Sequence, residues 1–295
     1  IELWKKLHIS NNDFIRTTEE RHKKIVQLIL NRVMEKGDIY ESEYEGLYSV
    51  SEERFITEKE AESGQFRDIK NLKEKNYFFK MSKYQERLIE HISENPNFIQ
   101  PEHRKNEVLG FLKKPLNDLC ISRPKSRLSW GIELPFDKEY VTYVWFDALI
   151  NYVTAAGYNQ PDEKFNLLWP ASYHLIGKDI LTTHAVYWPT ILLSAGIELP
   201  LSIFAHGWWL MGESKMSKSL GNVVNPIDLI DDYGVDPVRY YLMREMVLGH
   251  DSSFTMESFT QRYNSDLAND FGNLLSRVTT LIKKNYNGLV PAPNG

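Results

Sequence analysis

Apolar residues recur at helical spacing at Ile25, Val26, Ile29, Leu30, Val33 and Met34, with Gly37 as a stop, so residues 19–36 are predicted to form a helix with one buried face. The periodicity then lapses. Residues 38–79 are polar and Glu-rich, with short aromatic runs such as Tyr77-Phe78-Phe79, and read as a small irregular insertion with little core of its own. A second helical face follows at Met81, Tyr84, Leu88, Ile89 and Ile92. Ser82-x-x-Gln85 reads as the capping box that opens it, and Asn95-Pro96 ends it.

From residue 141 the pattern changes. Val141-Thr142-Tyr143-Val144-Trp145-Phe146 reads as a strand, His174-Leu175-Ile176 as a shorter one, and Leu201-Ser202-Ile203-Phe204 as a third. A helical stretch over about 179–195, stopped by Gly196, lies between the last two. Strand, helix and strand at this spacing form a βαβ unit, which predicts an α/β fold with a parallel sheet. Asn225-Pro226 and Asp236-Pro237 each place a capping residue before a proline, marking two short helices separated by Gly234. Phe259, Tyr263, Leu267, Phe271, Leu274, Val278 and Leu281 then define a long amphipathic helix over about 256–284.

The 295 residues suffice for two or three domains. With 42% hydrophobic and 25% charged residues the composition is that of a globular chain. No apolar run reaches the length of a membrane span and no signal peptide heads the sequence, so no membrane partner is expected. The single cysteine, Cys120, excludes an intrachain disulfide and a cysteine-cluster zinc site, and fits a cytoplasmic setting. A net charge of −5 does not suit a general nucleic-acid coat, so any RNA contact must use a local patch.

The chemistry concentrates in Lys215-Met216-Ser217-Lys218-Ser219. Two ammonium groups three residues apart on a short loop can follow the charge of a triphosphate as it reacts. Alone, a Lys-x-x-Lys is more often a solvated surface loop. Competing motifs fail: Gly207 to Gly212 has Walker A spacing but Glu213 stands where lysine is required, and His174-Leu175-Ile176-Gly177 is followed by Lys178 where a second histidine would be needed. Val144, Trp145, Ala148, Leu149 and Tyr152 cluster near a predicted strand end, and Ile180, His184 and Trp188 recur at i, i+4 and i+8. Together they suggest a mixed aromatic pocket, although core packing alone accounts for Val144 or Ala148. Gly177 and Asp179 sit at the carboxyl end of a strand, where nucleotides bind in open α/β sheets.

These motifs, with Phe14-Ile15-Arg16-Thr17-Thr18, Gly37-Asp38-Ile39-Tyr40, Lys83-Tyr84-Gln85, Ile121-Ser122-Arg123, Tyr143 to Ala148, Gly177-Lys178-Asp179-Ile180, His206-Gly207-Trp208 and Arg262-Tyr263-Asn264, resemble the class I aminoacyl-tRNA synthetases, specifically the methionyl-tRNA synthetase family, over nearly the whole chain. The resemblance implies ATP-dependent activation of L-methionine to methionyl-adenylate and transfer to tRNA(Met), with Mg²⁺ on the ATP and no covalent enzyme nucleophile. It makes Lys215 and Lys218 the catalytic cations, Lys218 foremost. Lys215, Ser217, Lys218, Gly177, Asp179, His206 and Arg123 become candidate ATP contacts; for Arg123 a surface ion pair is the alternative. Val144, Trp145, Ala148, Leu149, Tyr152, Ile180, His184 and Trp188 become candidate methionine contacts. Asn273 and Arg277, one turn apart, match the family's anticodon-reading pair, against the alternative of a solvated helix face.

The same resemblance divides the chain into the end of a first Rossmann half (1–23), a connective-peptide insertion (24–138), a second Rossmann half (139–205), the lysine loop with a stem-contact fold (206–258) and the start of a helical anticodon-binding domain (259–295). Two departures matter. The first Rossmann half with its His-Ile-Gly-His motif is missing, so the chain alone is expected to activate methionine poorly. Residues 48–53 carry no cysteines where the family often has zinc knuckles, so no structural zinc is expected. A catalytically silent RNA- or protein-binding module remains the alternative. A leucine, isoleucine or valine enzyme would need a far longer insertion.

Overall fold

The Glu20–Glu35 helix forms where its apolar spacing predicts, with Ile25, Val26, Ile29, Leu30 and Val33 all buried. The computed structural model describes residues 1–49, 54–56, 61, 68–161, 163–212, 214–215, 224–290 and 292. The chain divides into two units, one of residues 13–205 and one joining residues 1–12 to 206–295.

In the first unit, the described part of residues 38–79 is not irregular. Strands β1 (Ile39–Ser49), β2 (Arg54–Ile56) and β3 (Ile69–Phe79) are antiparallel, with β1 and β3 in unbroken register from Ile39 opposite Phe79 to Ser49 opposite Ile69. Glu41 and Glu43 are exposed and Tyr40 and Ser42 only half-buried, so the ribbon lacks the apolar alternation that announces a strand. The register sets Glu43 opposite Lys75, a favourable cross-strand charge pair. Strand β4 (Ile99–Gln100) follows, and β5 (Leu119–Cys120) pairs with β3.

The base of the ribbon is clasped by Asp38, which is fully buried. Lys83 Nζ donates to Asp38 Oδ1 at 2.6 Å, and the Tyr84 hydroxyl and Ser194 Oγ (2.8 Å) donate to Oδ2. Burial alone would raise the Asp38 pKa, but these three donors outweigh it and hold it below the ordinary carboxylate value. The capping box at Ser82 and Gln85 does not form. Ser82 Oγ donates to Asp118 at 2.6 Å, and the Gln85 amide donates to the Leu112 and Lys114 carbonyls while accepting from Leu116 N–H. Met81–Tyr84 is a 3₁₀ turn, and the α-helix runs Gln85–Glu94 without a side-chain cap.

Strands β6 (Ser122–Pro124), β7 (Glu133–Leu134) and β8 (Asp137–Thr142) form an antiparallel sheet in the order β6-β8-β7 among the described residues. The strand predicted over 141–146 therefore ends at Thr142. Tyr143 is the extended N-cap, and Val144–Leu149 is helical despite its β-favouring residues. Asp147 on that helix lies 2.6 Å from Nε2 of the buried His22, tying it to the Glu20–Glu35 helix.

Strands β9 (His174–Gly177) and β10 (Ile203–His206) complete the expected α/β motif. β10 pairs parallel with β4, in the order β4-β10-β9. The helix between them begins as a 3₁₀ turn at Lys178–Ile180, widens to a π turn over Thr183–Tyr187 and continues as Trp188–Ala195. Pro189 explains the widening: its ring would clash with the carbonyl four residues back in an unbroken α-helix. Gly196 then ends it at φ 66°.

In the second unit, β11 (Trp209–Met211) pairs parallel with β13 (Ser252–Phe254) and antiparallel with β12 (Ser214–Lys215). Asn225 caps the Pro226–Tyr233 helix as predicted, its side chain accepting from Ile227 N–H at 3.1 Å. Asp236 does not cap: the next helix starts one residue earlier, at Val235, with Gly234 as its N-cap. The long helix is Met256–Arg262, a π stretch Tyr263–Phe271, and Gly272–Tyr286. Phe259 is buried, whereas Phe271, Leu274, Val278 and Leu281 are exposed.

Candidate active site

Tyr152, His174, His184 and Trp188 of the first unit form a linked cluster, with the Trp169 ring packed on His174 and Trp188. Trp188 is fully buried and its indole N–H donates to His174 Nε2 at 3.1 Å. The His174 ring stacks on Tyr152 at 4.0 Å between centroids. The Tyr152 hydroxyl meets His184 Nε2 at 2.8 Å, and His184 Nδ1 faces the Ile180 carbonyl at 2.9 Å. A carbonyl only accepts, so Nδ1 carries the His184 proton and Tyr152 donates to Nε2. The π turn at Thr183–Tyr187 sets the rotation between His184 and Trp188.

Burial keeps this cluster uncharged. It lowers the His174 pKa to about 3, with His184 adding a smaller push, and it lowers that of His184 as well. It raises the Tyr152 pKa to about 12. Surroundings of two neutral imidazoles, a phenol and an indole, all but Tyr152 buried, disfavour a charged group and suit a polarisable apolar one.

The neighbouring candidates are placed unevenly. Ile150 joins the Val144–Leu149 and Asn151–Ala156 helices in helical conformation, so the half-buried Trp145, Ala148 and Tyr152 share a face. Leu149 is packed in the core, whereas Val144 is 53% exposed. Gly177 is the extended N-cap of the 3₁₀ turn at the carboxyl end of β9, and Asp179 is exposed on that turn. Arg123 is buried and not at the surface: it is 8% exposed, lies 4.6 Å over the Tyr143 ring, and donates to the Ser122 carbonyl at 2.7 Å.

The remaining candidates belong to the second unit. His206 Nδ1 donates to the Gly207 carbonyl at 2.7 Å, leaving Nε2 for a ligand. A Cβ on Gly207 would lie 2.1 Å from the His250 carbonyl oxygen, so the glycine is demanded by backbone passing against it. Lys215 ends β12, opposite Leu210. Ser217 and Lys218 lie outside the described residues, as do 50–53 of the stretch where zinc knuckles would sit. Asn273 and Arg277 are exposed one turn apart on the Gly272–Tyr286 helix. Asp266, earlier on the same helix, accepts from the Tyr240 hydroxyl (2.8 Å) and from Arg262 (3.5 Å). Among the described residues no group of three or more His, Cys, Asp or Glu is placed to hold a metal, and no helix is long and apolar enough to cross a membrane.

His174 is the residue that sequence reasoning passed over, because it was weighed only as part of a failed nucleotide motif. Its signal was an inverted pattern along β9, where histidine is buried and the adjacent Leu175 is 70% exposed.

Comparison with known proteins places this geometry. The family model described as "tRNA synthetases class I (M)" matches residues 1–65 and 59–279. The chain is 52% identical to a methionine–tRNA ligase of Clostridium tetani and 49% identical to one of Listeria monocytogenes, over 99% and 100% of its own length. It spans 46% of each, so about half the length of these relatives. The structure of Mycobacterium tuberculosis methionyl-tRNA synthetase in complex with methionyl-adenylate superposes with a TM-score of 0.90 at 44% identity, covering 100% of this chain and 59% of that one. The free form of that protein gives 0.86 at 42% identity. The fold is thus mixed α/β with a parallel sheet, and the chain belongs to the methionyl-tRNA synthetase family of class I aminoacyl-tRNA synthetases.

Proposed function

We propose that the chain supplies the amino-acid pocket and the lysine loop of a methionine–tRNA ligase. The observation that carries this reading is the neutral Tyr152–His174–His184–Trp188 cluster beside the carboxyl end of β9. Trp145, Ala148, Tyr152, Ile180, His184 and Trp188 recognise the methionine side chain. Gly177 and Asp179 receive the adenosine part of MgATP, with Arg123 moving in from its seat on Tyr143. His206 of the second unit is a further candidate ATP contact.

The methionine carboxylate attacks the α-phosphate in line, methionyl-adenylate forms and pyrophosphate leaves. Lys215 and Lys218 stabilise the charge that builds on the leaving phosphates, as cations on a phosphoryl-transfer centre do. The terminal ribose hydroxyl of tRNA(Met) then attacks the carbonyl carbon of the adenylate, forming the ester and releasing AMP and a proton, while Asn273 and Arg277 read the anticodon. Residues 24–138 act as the connective-peptide insertion, 206–258 as the lysine loop and stem-contact fold, and 259–295 as the start of the anticodon-binding domain. The reaction belongs to the cytoplasm.

Thermal-shift titration tests the reading with methionine, ATP and a non-hydrolysable methionyl-adenylate analogue. The analogue is expected to raise the melting temperature most, methionine less, and leucine not at all. No response to any of the three, with tRNA binding retained, contradicts it in favour of a binding module.

A further inference from the structure

Trp188 has one polar atom, and its partner comes from another element. The indole N–H donates to Nε2 of His174 on β9, 3.1 Å away. An indole N–H can only donate, so Nε2 carries the lone pair and the His174 proton sits on Nδ1. The imidazole also stacks on Tyr152, with the planes at 30°, and packs against the Trp169 ring at 5.9 Å between centroids. Tyr152 in turn donates to His184. His184 lies within the π turn Thr183–Tyr187 and Trp188 directly follows it, so the chain of contacts from Trp188 through His174 and Tyr152 returns to the helix it left. His174 is 2% exposed and was packed in before any ligand arrives.

We propose that His174 is a positioning residue of the amino-acid pocket, holding the Trp188 indole through Nε2 and the Tyr152 ring by stacking, so that both walls meet a methionine side chain in a fixed orientation. The inference rests on the methionine reading above for its ligand, but not for its geometry. Phenylalanine at this position would keep a ring and lose the acceptor. Glutamine would keep an acceptor near the position of Nε2 and lose the ring. Imidazole provides both.

The test uses the chain with ¹⁵N-labelled indoles, the Trp188 resonance being assigned by its loss in Trp188→Phe. Exchange of the indole proton and the methionine dissociation constant are measured for the wild type, His174→Phe and His174→Gln. A buried donor left without its acceptor opens readily, so His174→Phe is expected to speed Trp188 exchange and to weaken methionine binding, each by about tenfold or more, while His174→Gln keeps the slow exchange. Should His174→Phe not fold, His174→Asn, whose acceptor reaches only the position of Nδ1, makes the same comparison. Trp188 exchange that stays slow in both the phenylalanine and asparagine variants overturns the proposal. So does methionine binding that is unchanged in a variant whose exchange has become fast. A wild type with the expected exchange pattern but no response to methionine removes the ligand reading and leaves the His174–Trp188 coupling standing.

Discussion

At the scale of single residues, the molecule keeps two imidazoles uncharged inside an aromatic cluster. His174 has a folded pKa of about 3, and burial lowers that of His184 too. An unfolded histidine titrates near 6.5, so below that pH the unfolded chain binds protons that the folded chain refuses. Stability is therefore fully present above about pH 6.5 and falls as the pH drops toward the folded values, by roughly 1.4 kcal/mol per pH unit for each histidine inside its window. Asp38, whose folded pKa is depressed, loses its contribution only at lower pH, as its own carboxylate protonates. Urea unfolding between pH 7 and pH 5 checks this. The wild type is expected to be markedly less stable at pH 5, and His174→Gln to show a shallower dependence. Equal slopes in the two proteins would contradict the assignment.

At the scale of elements, the features readable from sequence are those whose pattern is local. The Glu20–Glu35 helix shows its apolar spacing, Asn225 caps through its own side chain, and β9 stands out between polar neighbours. What failed depended on partners distant in sequence. The β1–β3 ribbon has no continuous apolar face, so only its register with the far strand defines it. Ser82 and Gln85 have the spacing of a cap, but Asp118 and the 112–116 backbone claim them. Val144-Trp145-Phe146 favours a strand by composition, yet the sheet ends at Thr142. The candidate pocket was legible in part: spacing led to Tyr152, His184 and Trp188, but not to the strand histidine that links them. Asp38 and Lys83-Tyr84 now have a shared structural purpose, the clasp at the ribbon base. Asp38→Ala leaves the Tyr84 and Ser194 hydroxyls buried without their acceptor, so it is expected to cost about 3 kcal/mol in urea unfolding. Lys83→Ala, removing a half-exposed donor, is expected to cost less. The reverse order would show that the clasp works through the ion pair instead.

At the scale of the whole molecule, the candidate residues fall in two units. The aromatic cluster and the end of β9 belong to residues 13–205; His206, the lysine motif and the Gly272–Tyr286 helix belong to the other. A net charge of −5 leaves phosphate binding to local cations. In the proposed function, methionine is read by the first unit at Trp188. Titrating methionine while following tryptophan fluorescence, in the wild type and in Trp188→Phe, tests it most directly, with circular dichroism to establish that the variant is folded. A saturable change in the wild type that is lost in Trp188→Phe is the expected result. The same saturable change in both proteins would contradict the account, because the ligand would then be bound away from this pocket.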